Sequence, residues 1–279
     1  MIEYKNLILD EERALYGAEN ARILNCNFDG PRDGESALKE AKTLYIEECN
    51  FNLRYPLWHV EKAELLGCSM SENCRAALWY DKNINIGKCN LGGIKALREC
   101  ENIKIKNTTI SSLEFGWFCK EILIKDTKLT SEYPFMYSKN MQLENFTLEG
   151  KYSFQYVEDT IIKDSYLVTK DAFWHSKNVT VINSVVKGEY LGWYSQNLKL
   201  LGCKIIGTQP LCYAKGLIIE NCEMIDCDLA FENSEVIAGI KGEIISVKNP
   251  KGGKIVADKI GEIILEKKTE CIIVDKNKI

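Results

Sequence analysis

"ENIKIKNTTI" (Glu101–Ile110) is repeated in pattern by "KEILIKDTKL" from Lys120 and "KNMQLENFTL" from Lys139, at intervals of 19 residues. Five more segments keep this interval, and three upstream segments follow the same pattern with insertions of four and two residues. Eleven copies therefore run from Glu19 to about Asn233. A fixed period of this length indicates a repeat architecture, in which each copy is one structural unit.

The apolar residues within each copy alternate and then reach a corner. Numbered from the first residue of each segment, positions 3 and 5 are apolar, and position 7 is usually Asn, Asp or Gly. Three short strands per copy, with no helical periodicity between them, predict one turn of a parallel β-helix. Leucine-rich repeats are of similar length, but their Leu and Asn spacing is absent. The position-5 column shows the pattern best: Ile23, Ile46, Leu65, Ile86, Ile105, Ile124, Leu143, Ile162, Val181, Leu200 and Ile219.

Positions 15 and 16 predict how the core is filled. Position 16 is bulky where position 15 is small or Pro, but Gly116 follows Phe115 and Gly192 follows Leu191. One bulky side chain per coil is what a narrow, close-packed core requires, so we expect both positions at one corner of the core.

We predict an all-β, single-stranded parallel β-helix of about 11 coils, forming one domain over residues 1–279. The open ends of a solenoid need cover, because they present unpaired backbone and apolar surface. We interpret residues 1–18 as a cap and partial coil, 19–233 as the coils, and 234–279 as C-terminal strands and a cap, since the 19-residue rhythm ends at Asn233.

Composition excludes several partners and compartments. The formal net charge is -4 and charges of both signs are interspersed, so we expect no nucleic-acid partner. The N-terminal segment lacks the pattern of a secretory signal, and no apolar run approaches the ~20 residues that span a bilayer, so we expect no membrane partner. We predict a cytoplasmic protein whose 12 cysteines are reduced thiols.

The repeated motifs also carry a family resemblance. A coil with an Asn-type ladder at one corner resembles the right-handed parallel β-helix of the pectin-lyase-like superfamily. The motifs "GESALKE", "YPLWH", "CRAALWY", "KALREC", "KYSFQY" and "DAFWHS" resemble, more narrowly, a bacterial β-helix family catalogued as a domain of unknown function. The resemblance covers nearly the whole chain and implies a right-handed coil, while it implies no established activity.

Position 17 is the first candidate binding column. Lys39, Arg98 and Gln155 in this column would be costly to bury in a dry coil, so we expect it to face outward. Outward indoles interrupted by polar residues are typical of carbohydrate-binding surfaces, while a cap, a loop or a second subunit could cover the same stripe. All five tryptophans lie here: Trp58, Trp79, Trp117, Trp174 and Trp193.

Position 18 is mainly aromatic and contains both histidines, His59 and His175. Each histidine is therefore either a hydrogen-bonded replacement for tyrosine in a ladder or a catalytic group, and the column favours the first interpretation.

The N-terminal third has the densest set of charged residues. A lyase would need a cation for a uronate carboxylate, which Arg98 or Arg75 would supply, and a base, which His59 or Lys95 would supply. The insertion "DGPRDGES" would fold over this pocket. A hydrolase would instead need two carboxylates, with these candidates: Glu40, Glu99 and Glu114.

A second, weaker set combines Asp171, Trp174 and His175 with Glu189 and Tyr190. Neither set carries the sequence motifs of polygalacturonases or the Asp cluster of a calcium-dependent pectate lyase. We therefore expect either recognition or modification of a carbohydrate, as a polysaccharide lyase or glycoside hydrolase if catalytic, or a non-catalytic scaffold that binds protein or forms homo-oligomers.

The cysteines predict neither a metal site nor another cofactor. Position 8 alternates between Cys, Thr and Ser, which indicates an internal column of small side chains. A straight column cannot easily arrange four sulfurs tetrahedrally around zinc. Cys74, Cys100 and Cys119 lie nearer the candidate pocket, and the position-8 cysteines are Cys26, Cys49, Cys68, Cys89, Cys203 and Cys222.

Overall fold

A computed structural model describes residues 1–30 and 35–278 of the chain. The chain divides into two compact units, Met1–Gln142 (unit 1) and Leu143 to the C-terminus (unit 2). Both are all-β and consist of right-handed parallel β-solenoid coils, about 14 turns in total. The segment predicted to fold over the candidate pocket has its residues 31–34 outside the described part of the chain.

Unit 1 repeats one long and one short strand in each coil. Its longer strands pair in parallel without any shift of register, so Ile105 lies between Ile86 and Ile124 in neighbouring coils. The strands are β1 (Ile2–Lys5), β2 (Ile8–Leu9), β3 (Glu19–Leu24), β4 (Asn27–Phe28), β5 (Lys42–Glu47), β6 (Asn50–Phe51), β7 (Glu61–Leu66), β8 (Ser69–Met70), β9 (Lys82–Gly87), β10 (Asn90–Leu91), β11 (Ala96–Arg98), β12 (Glu101–Lys106), β13 (Thr109–Ser111), β14 (Glu114–Trp117), β15 (Lys120–Ser131) and β16 (Tyr133–Pro134).

Unit 2 has the same parallel pairing, and its last strands are longer. A short 3-10 helix, Lys276–Lys278, ends its described part. The strand β17 (Lys139–Gly150) begins in unit 1, and the remaining strands are β18 (Glu158–Lys163), β19 (Tyr166–Val168), β20 (Lys177–Ile182), β21 (Val185–Lys187), β22 (Lys199–Leu201), β23 (Lys204–Ile206), β24 (Leu217–Ile225), β25 (Glu235–Lys248), β26 (Gly252–Ile264) and β27 (Glu270–Asp275).

The number of coils exceeds the predicted 11 because residues on both sides of 19–233 also form coils. Strand β1 pairs with β3 in the register of the repeat, Ile2 opposite Ala21. At the other end β25 pairs with β26, and β26 pairs with β27, at intervals of 17 and 18 residues. Because these intervals are shorter than 19 residues, the 19-residue period did not predict the C-terminal coils.

The third predicted strand of the coil, at positions 14 to 18, is present as β11, β14 and β16 in unit 1, and its backbone is unlike that of an ordinary strand. Lys95, Leu97 and Glu99 all have positive φ, and the residues between them do not. The backbone still pairs between coils, because the Leu97 N–H donates to Ala77 O and the Glu99 N–H donates to Trp117 O, both at 2.9 Å. An ordinary strand would direct adjacent residues to opposite faces, whereas this alternation lets positions 15 and 16 both face the core.

The predicted compensation between positions 15 and 16 is confirmed. Phe115 and Phe135 are both buried and meet edge to face at 5.7 Å between ring centroids. Gly116 makes this possible, since a Cβ there would lie 2.7 Å from Cδ1 of Phe135. The core is thus filled by one large side chain per coil, as close packing demands.

The cysteine and serine columns satisfy backbone amides that point inward at two corners. At position 8 the Cys203 N–H donates to Cys222 Sγ at 3.3 Å, and the Ser165 N–H donates to Ser184 Oγ at 3.0 Å. At position 19 the Cys119 N–H donates to Ser138 Oγ at 2.9 Å. A buried amide needs an acceptor, so Cys, Ser and Thr replace each other along these columns.

Candidate functional site

The position-17 side chains of unit 1 form a stack along the coils rather than a row of free rings. Trp58 and Trp79 are parallel within 3°, with ring centroids 5.3 Å apart. The Arg98 guanidinium lies between the next two rings, 5.1 Å from the Trp79 centroid and 5.2 Å from the Trp117 centroid. Lys39 lies 5.8 Å over the outer face of Trp58. Most indole faces in this stack are therefore covered by neighbours.

The indole N–H groups are also engaged. Trp79 Nε1–H donates to Lys95 O and Trp117 Nε1–H donates to Tyr133 O, each at 2.6 Å. Side chains of this column are half-buried in most coils. Stacking of a sugar on these rings, which the sequence led us to expect, is prevented inside the stack because coils about 4.8 Å apart bring each ring onto the next.

Two members of the column do not face outward as predicted. Cys212 and Phe231 are buried, with 1% and 0% of their surface exposed. Position 17 thus turns inward in the last two copies of the repeat.

The position-18 column of unit 1 is a second aromatic ladder, and it contains a gap. His59 stacks on Tyr80 at 4.9 Å, and Phe118 stacks on Tyr137 at 5.1 Å. Glu99 occupies the rung between Tyr80 and Phe118, where a carboxylate replaces a ring. The stacking places His59 in the ladder, as a rung next to Tyr80.

The gap opens into a groove, which we call the Glu99 groove. Its volume is about 450 Å³ and its lining consists of Arg98, Glu99, Cys100, Glu101, Phe118 and Lys120. One wall is the ring of Phe118, whose centroid lies 5.3 Å from the Arg98 guanidinium. Because two coil spacings separate Tyr80 from Phe118, their rungs are roughly 10 Å apart, and no aromatic ring lies between them.

Charged side chains surround the groove. Glu101 pairs with Lys82 at 3.7 Å, and both of these side chains are well exposed. Glu99 and Lys120 are also exposed. The groove thus combines hydrogen-bond acceptors, hydrogen-bond donors and one apolar ring.

The other predicted catalytic residues lie outside this groove. Lys95 and Glu114 pair with each other at 3.8 Å in the position-14 row. Arg75 is exposed in the position-13 row beside Arg54, which pairs with Glu35 at 3.4 Å. Of the six predicted residues the groove therefore gathers only Arg98 and Glu99.

Three lining residues, Glu101, Phe118 and Lys120, were not predicted as site residues. Phe118 belongs to position 18, and Glu101 and Lys120 hold position 1 of their copies, two residues after position 18, so period-two alternation brings positions 18 and 1 to the same outer side. The signal that marks the site in the sequence is a glutamate at position 18 with an aromatic residue on each side of it in the column, Tyr80 and Phe118.

Unit 2 carries the same two ladders, and its histidine has an aromatic ring on each side. Trp174 stacks on Trp193 at 5.5 Å, and each indole N–H donates to a backbone carbonyl. His175 lies between Tyr156 and Tyr194, 4.9 Å and 5.0 Å from their centroids. Both faces of His175 are thus covered by tyrosine rings of the ladder.

Asp171 is separated from that ladder by burial. Only 7% of its surface is exposed, and this burial raises the pKa of its carboxyl group. Its neighbours Lys170 and Glu189 pair with each other at 3.1 Å. Of the predicted set, Asp171 is therefore a buried acid, while Trp174 and His175 are rings stacked in the two ladders.

Neither a metal-binding cluster nor a membrane-spanning helix is found among the described residues. No group of three or more His, Cys, Asp or Glu side chains among residues 1–30 and 35–278 could hold a metal ion. In the same part of the chain no helix has the length and apolar character needed to cross a membrane.

Solved structures similar to this chain share little sequence with it. The mannuronan C-5 epimerase AlgE6 A-module of Azotobacter vinelandii is 10% identical, with 98% of this chain and 88% of that chain covered and a TM-score of 0.41. A mutant tailspike protein of E. coli bacteriophage HK620, solved with a pentasaccharide, is 10% identical, with 99% and 67% covered and a TM-score of 0.45. The pentapeptide repeat protein HetL of Nostoc sp. strain PCC 7120 is 13% identical, with 82% and 86% covered and a TM-score of 0.30.

No curated protein matches the chain. Residues 2–274 match the family described as "Protein of unknown function (DUF3737)", which spans nearly all of the chain. The chain therefore belongs to the DUF3737 family.

Proposed function

We propose that this protein binds carbohydrate in the Glu99 groove of unit 1. The observation that carries the proposal is the missing rung: the aromatic ladder is interrupted at Glu99, directly beside the ring of Phe118. Every other feature of the proposed site follows from this interruption.

The dimensions of the gap favour a pyranose. A sugar ring is about as thick as an aromatic ring, so one sugar would fill one rung, with its C–H groups against the exposed part of the Phe118 side chain, which is 40% exposed. Offset contact between an apolar face and an aromatic ring is favourable, and the surrounding polar groups fix orientation. We assign the hydroxyl contacts to Glu99, Glu101 and Lys120, which line the groove.

Arg98 has a positioning role in this proposal. Its guanidinium is held between Trp79 and Trp117 and contacts the Phe118 ring at 5.3 Å. Contacts between a cation and ring faces of this kind contribute about 0.5–2 kcal/mol, so they favour one orientation of Phe118. The ring is thereby presented to the ligand in a fixed position.

Calorimetric titration with a panel of neutral and uronate oligosaccharides tests the proposal. We expect at least one sugar to bind, and Phe118→Ala to weaken that binding by about tenfold or more because the apolar wall is lost. Tyr194→Ala is the matched control, since it removes a ladder ring in unit 2 far from the groove in sequence. Absence of binding across the panel, or equal affinity in Phe118→Ala and the parent, would refute the proposal.

The proposal is for recognition, and two further measurements, of product release and of protein binding, separate it from the two other hypotheses. Release of reducing ends or of unsaturated products by the parent, abolished in Glu99→Gln, would indicate a hydrolase or lyase instead. Failure of every sugar, with binding of a protein partner that Phe118→Ala abolishes, would indicate a protein-binding scaffold.

We also propose a cytoplasmic location, on the basis of the thiols. Eleven cysteines are buried and unpaired, and several are stacked in successive coils. Free thiols persist in the reducing cytosol, whereas oxidising compartments favour disulfides. Cell fractionation with thiol labelling under denaturing conditions tests this, and recovery from an oxidising compartment would contradict it.

A further inference from the structure

The N-terminal edge of unit 1 has the properties of a self-association surface. Strand β1 pairs with β3 and with no other strand of the described residues. Ile2 and Tyr4 occupy the inward columns, opposite the buried Ala21 and Ile23, yet 60% of the Ile2 surface is exposed. An unpaired strand with apolar neighbours is a template for another strand.

The backbone groups that face this edge can be identified. The Asn6 N–H donates to Leu24 O at 3.0 Å, so Asn6 directs its amide toward the coil of β3. Backbone groups alternate along a strand, so those of Tyr4 and Ile2 also point to β3. The N–H and C=O groups of Glu3 and Lys5 therefore point to the free edge.

These free groups allow three antiparallel pairings of β1 with a second β1, because each pairing must place edge-facing residues opposite each other. One places Glu3 opposite Glu3 of the second copy, and another places Lys5 opposite Lys5. The third is centred on Tyr4 and places Glu3 opposite Lys5 twice. Like charges directly opposite are destabilising and opposite charges are stabilising, so only the third is favoured.

We propose that two copies of this chain associate through β1 in the pairing centred on Tyr4. The Glu3 and Lys5 of each copy then exchange both backbone hydrogen bonds with Lys5 and Glu3 of the other. The exposed apolar side chains of the first coil, Ile2 and Leu7, are brought together beneath the new pair. The arrangement is two-fold symmetric, the commonest symmetry of homodimers.

Charge reversal tests this pairing on the full chain, with mass measured by light scattering or sedimentation over a concentration series. The parent should show a concentration-dependent dimer. Glu3→Lys and Lys5→Glu should each weaken it by about tenfold or more, because each puts two like-charged pairs opposite one another. The double variant carrying both substitutions should dimerise again.

Mixing the two single variants separates loss of pairing from misfolding. One copy then has lysine at both positions and the other has glutamate at both, so a heterodimer restores two opposite-charge pairs. The matched control is Lys204→Glu, which reverses an exposed residue paired with Glu223 in unit 2 and should leave the dimer unchanged. A monomeric parent at all concentrations, or a mixture of single variants that stays monomeric, would overturn the proposal.

Discussion

We expect Asp81 to make the free energy of unfolding depend on pH. Its surface is fully buried at position 19, where Oδ1 accepts the Val60 N–H at 2.8 Å. Its second oxygen, Oδ2, has no hydrogen-bond partner among the described residues. Burial raises the pKa of this carboxyl group well above its usual value.

The sign of the effect follows from the raised pKa. Below the unfolded pKa of about 4 the carboxyl group is protonated in both states, so it adds no pH dependence to the free energy of unfolding. As the pH rises, the unfolded state ionises while the folded state keeps its proton, so the free energy of unfolding falls. The loss is about 1.4 kcal/mol for each pH unit until the folded pKa is reached.

Replacement of Asp81 by Ser should remove this loss. Serine fills the same column at Ser138, where its Oγ accepts the Cys119 N–H, so the acceptor for Val60 is retained. We expect Asp81→Ser to be more stable than the parent, with a difference that widens by about 1.4 kcal/mol per pH unit as the pH rises from about 4 toward the folded pKa. Urea unfolding at a series of pH values measures it.

The reciprocal variant is the control for this prediction. Ser138→Asp puts a carboxyl group in the same column and should acquire the pH-dependent loss. A difference between Asp81→Ser and the parent that does not change with pH, or a parent that becomes more stable from pH 5 to pH 6 relative to Asp81→Ser, would refute the reasoning.

Three further predictions concern stability, each measured as a change in urea midpoint. Cys222→Ser should be tolerated, whereas Cys222→Ala should cost about 1–3 kcal/mol because the Cys203 amide loses its acceptor; equal costs would contradict this. Trp79→Phe should lower the free energy of unfolding by about 1 kcal/mol, because the indole hydrogen bond is lost, and Trp79→Ala should lower it by about 3 kcal/mol; equal losses in the two variants would refute this prediction. Gly93→Ala should destabilise the protein by more than about 1 kcal/mol, since φ is +100° and the new Cβ would lie 2.0 Å from Cys74 O; unchanged stability would refute it.

The sequence predicted the coil well because side-chain period and core volume are local signals. The position-5 column lies in register through Ile86, Ile105 and Ile124, as expected from the 19-residue spacing. Gly116 compensates for Phe115, as expected from a narrow core.

Two features could not be predicted because they depend on neighbouring coils. Leu97 and Glu99 adopt left-handed backbone conformations, which no glycine marks in the sequence and which hydrogen bonds between coils stabilise. The indoles of Trp58 and Trp79 were expected to be open to a sugar, but the coil spacing places one ring on the other. The site was only partly predicted, because Lys120 reaches the Glu99 groove from a different coil.

The most direct test of the proposed function fills the missing rung. Glu99→Tyr would extend the ladder of His59 and Tyr80 to Phe118 and occupy the space assigned to the sugar. The measurement is the calorimetric affinity of Glu99→Tyr for the oligosaccharide that the parent binds, with folding checked by circular dichroism. We expect a folded protein that no longer binds the oligosaccharide. Undiminished affinity in a folded Glu99→Tyr variant would contradict it.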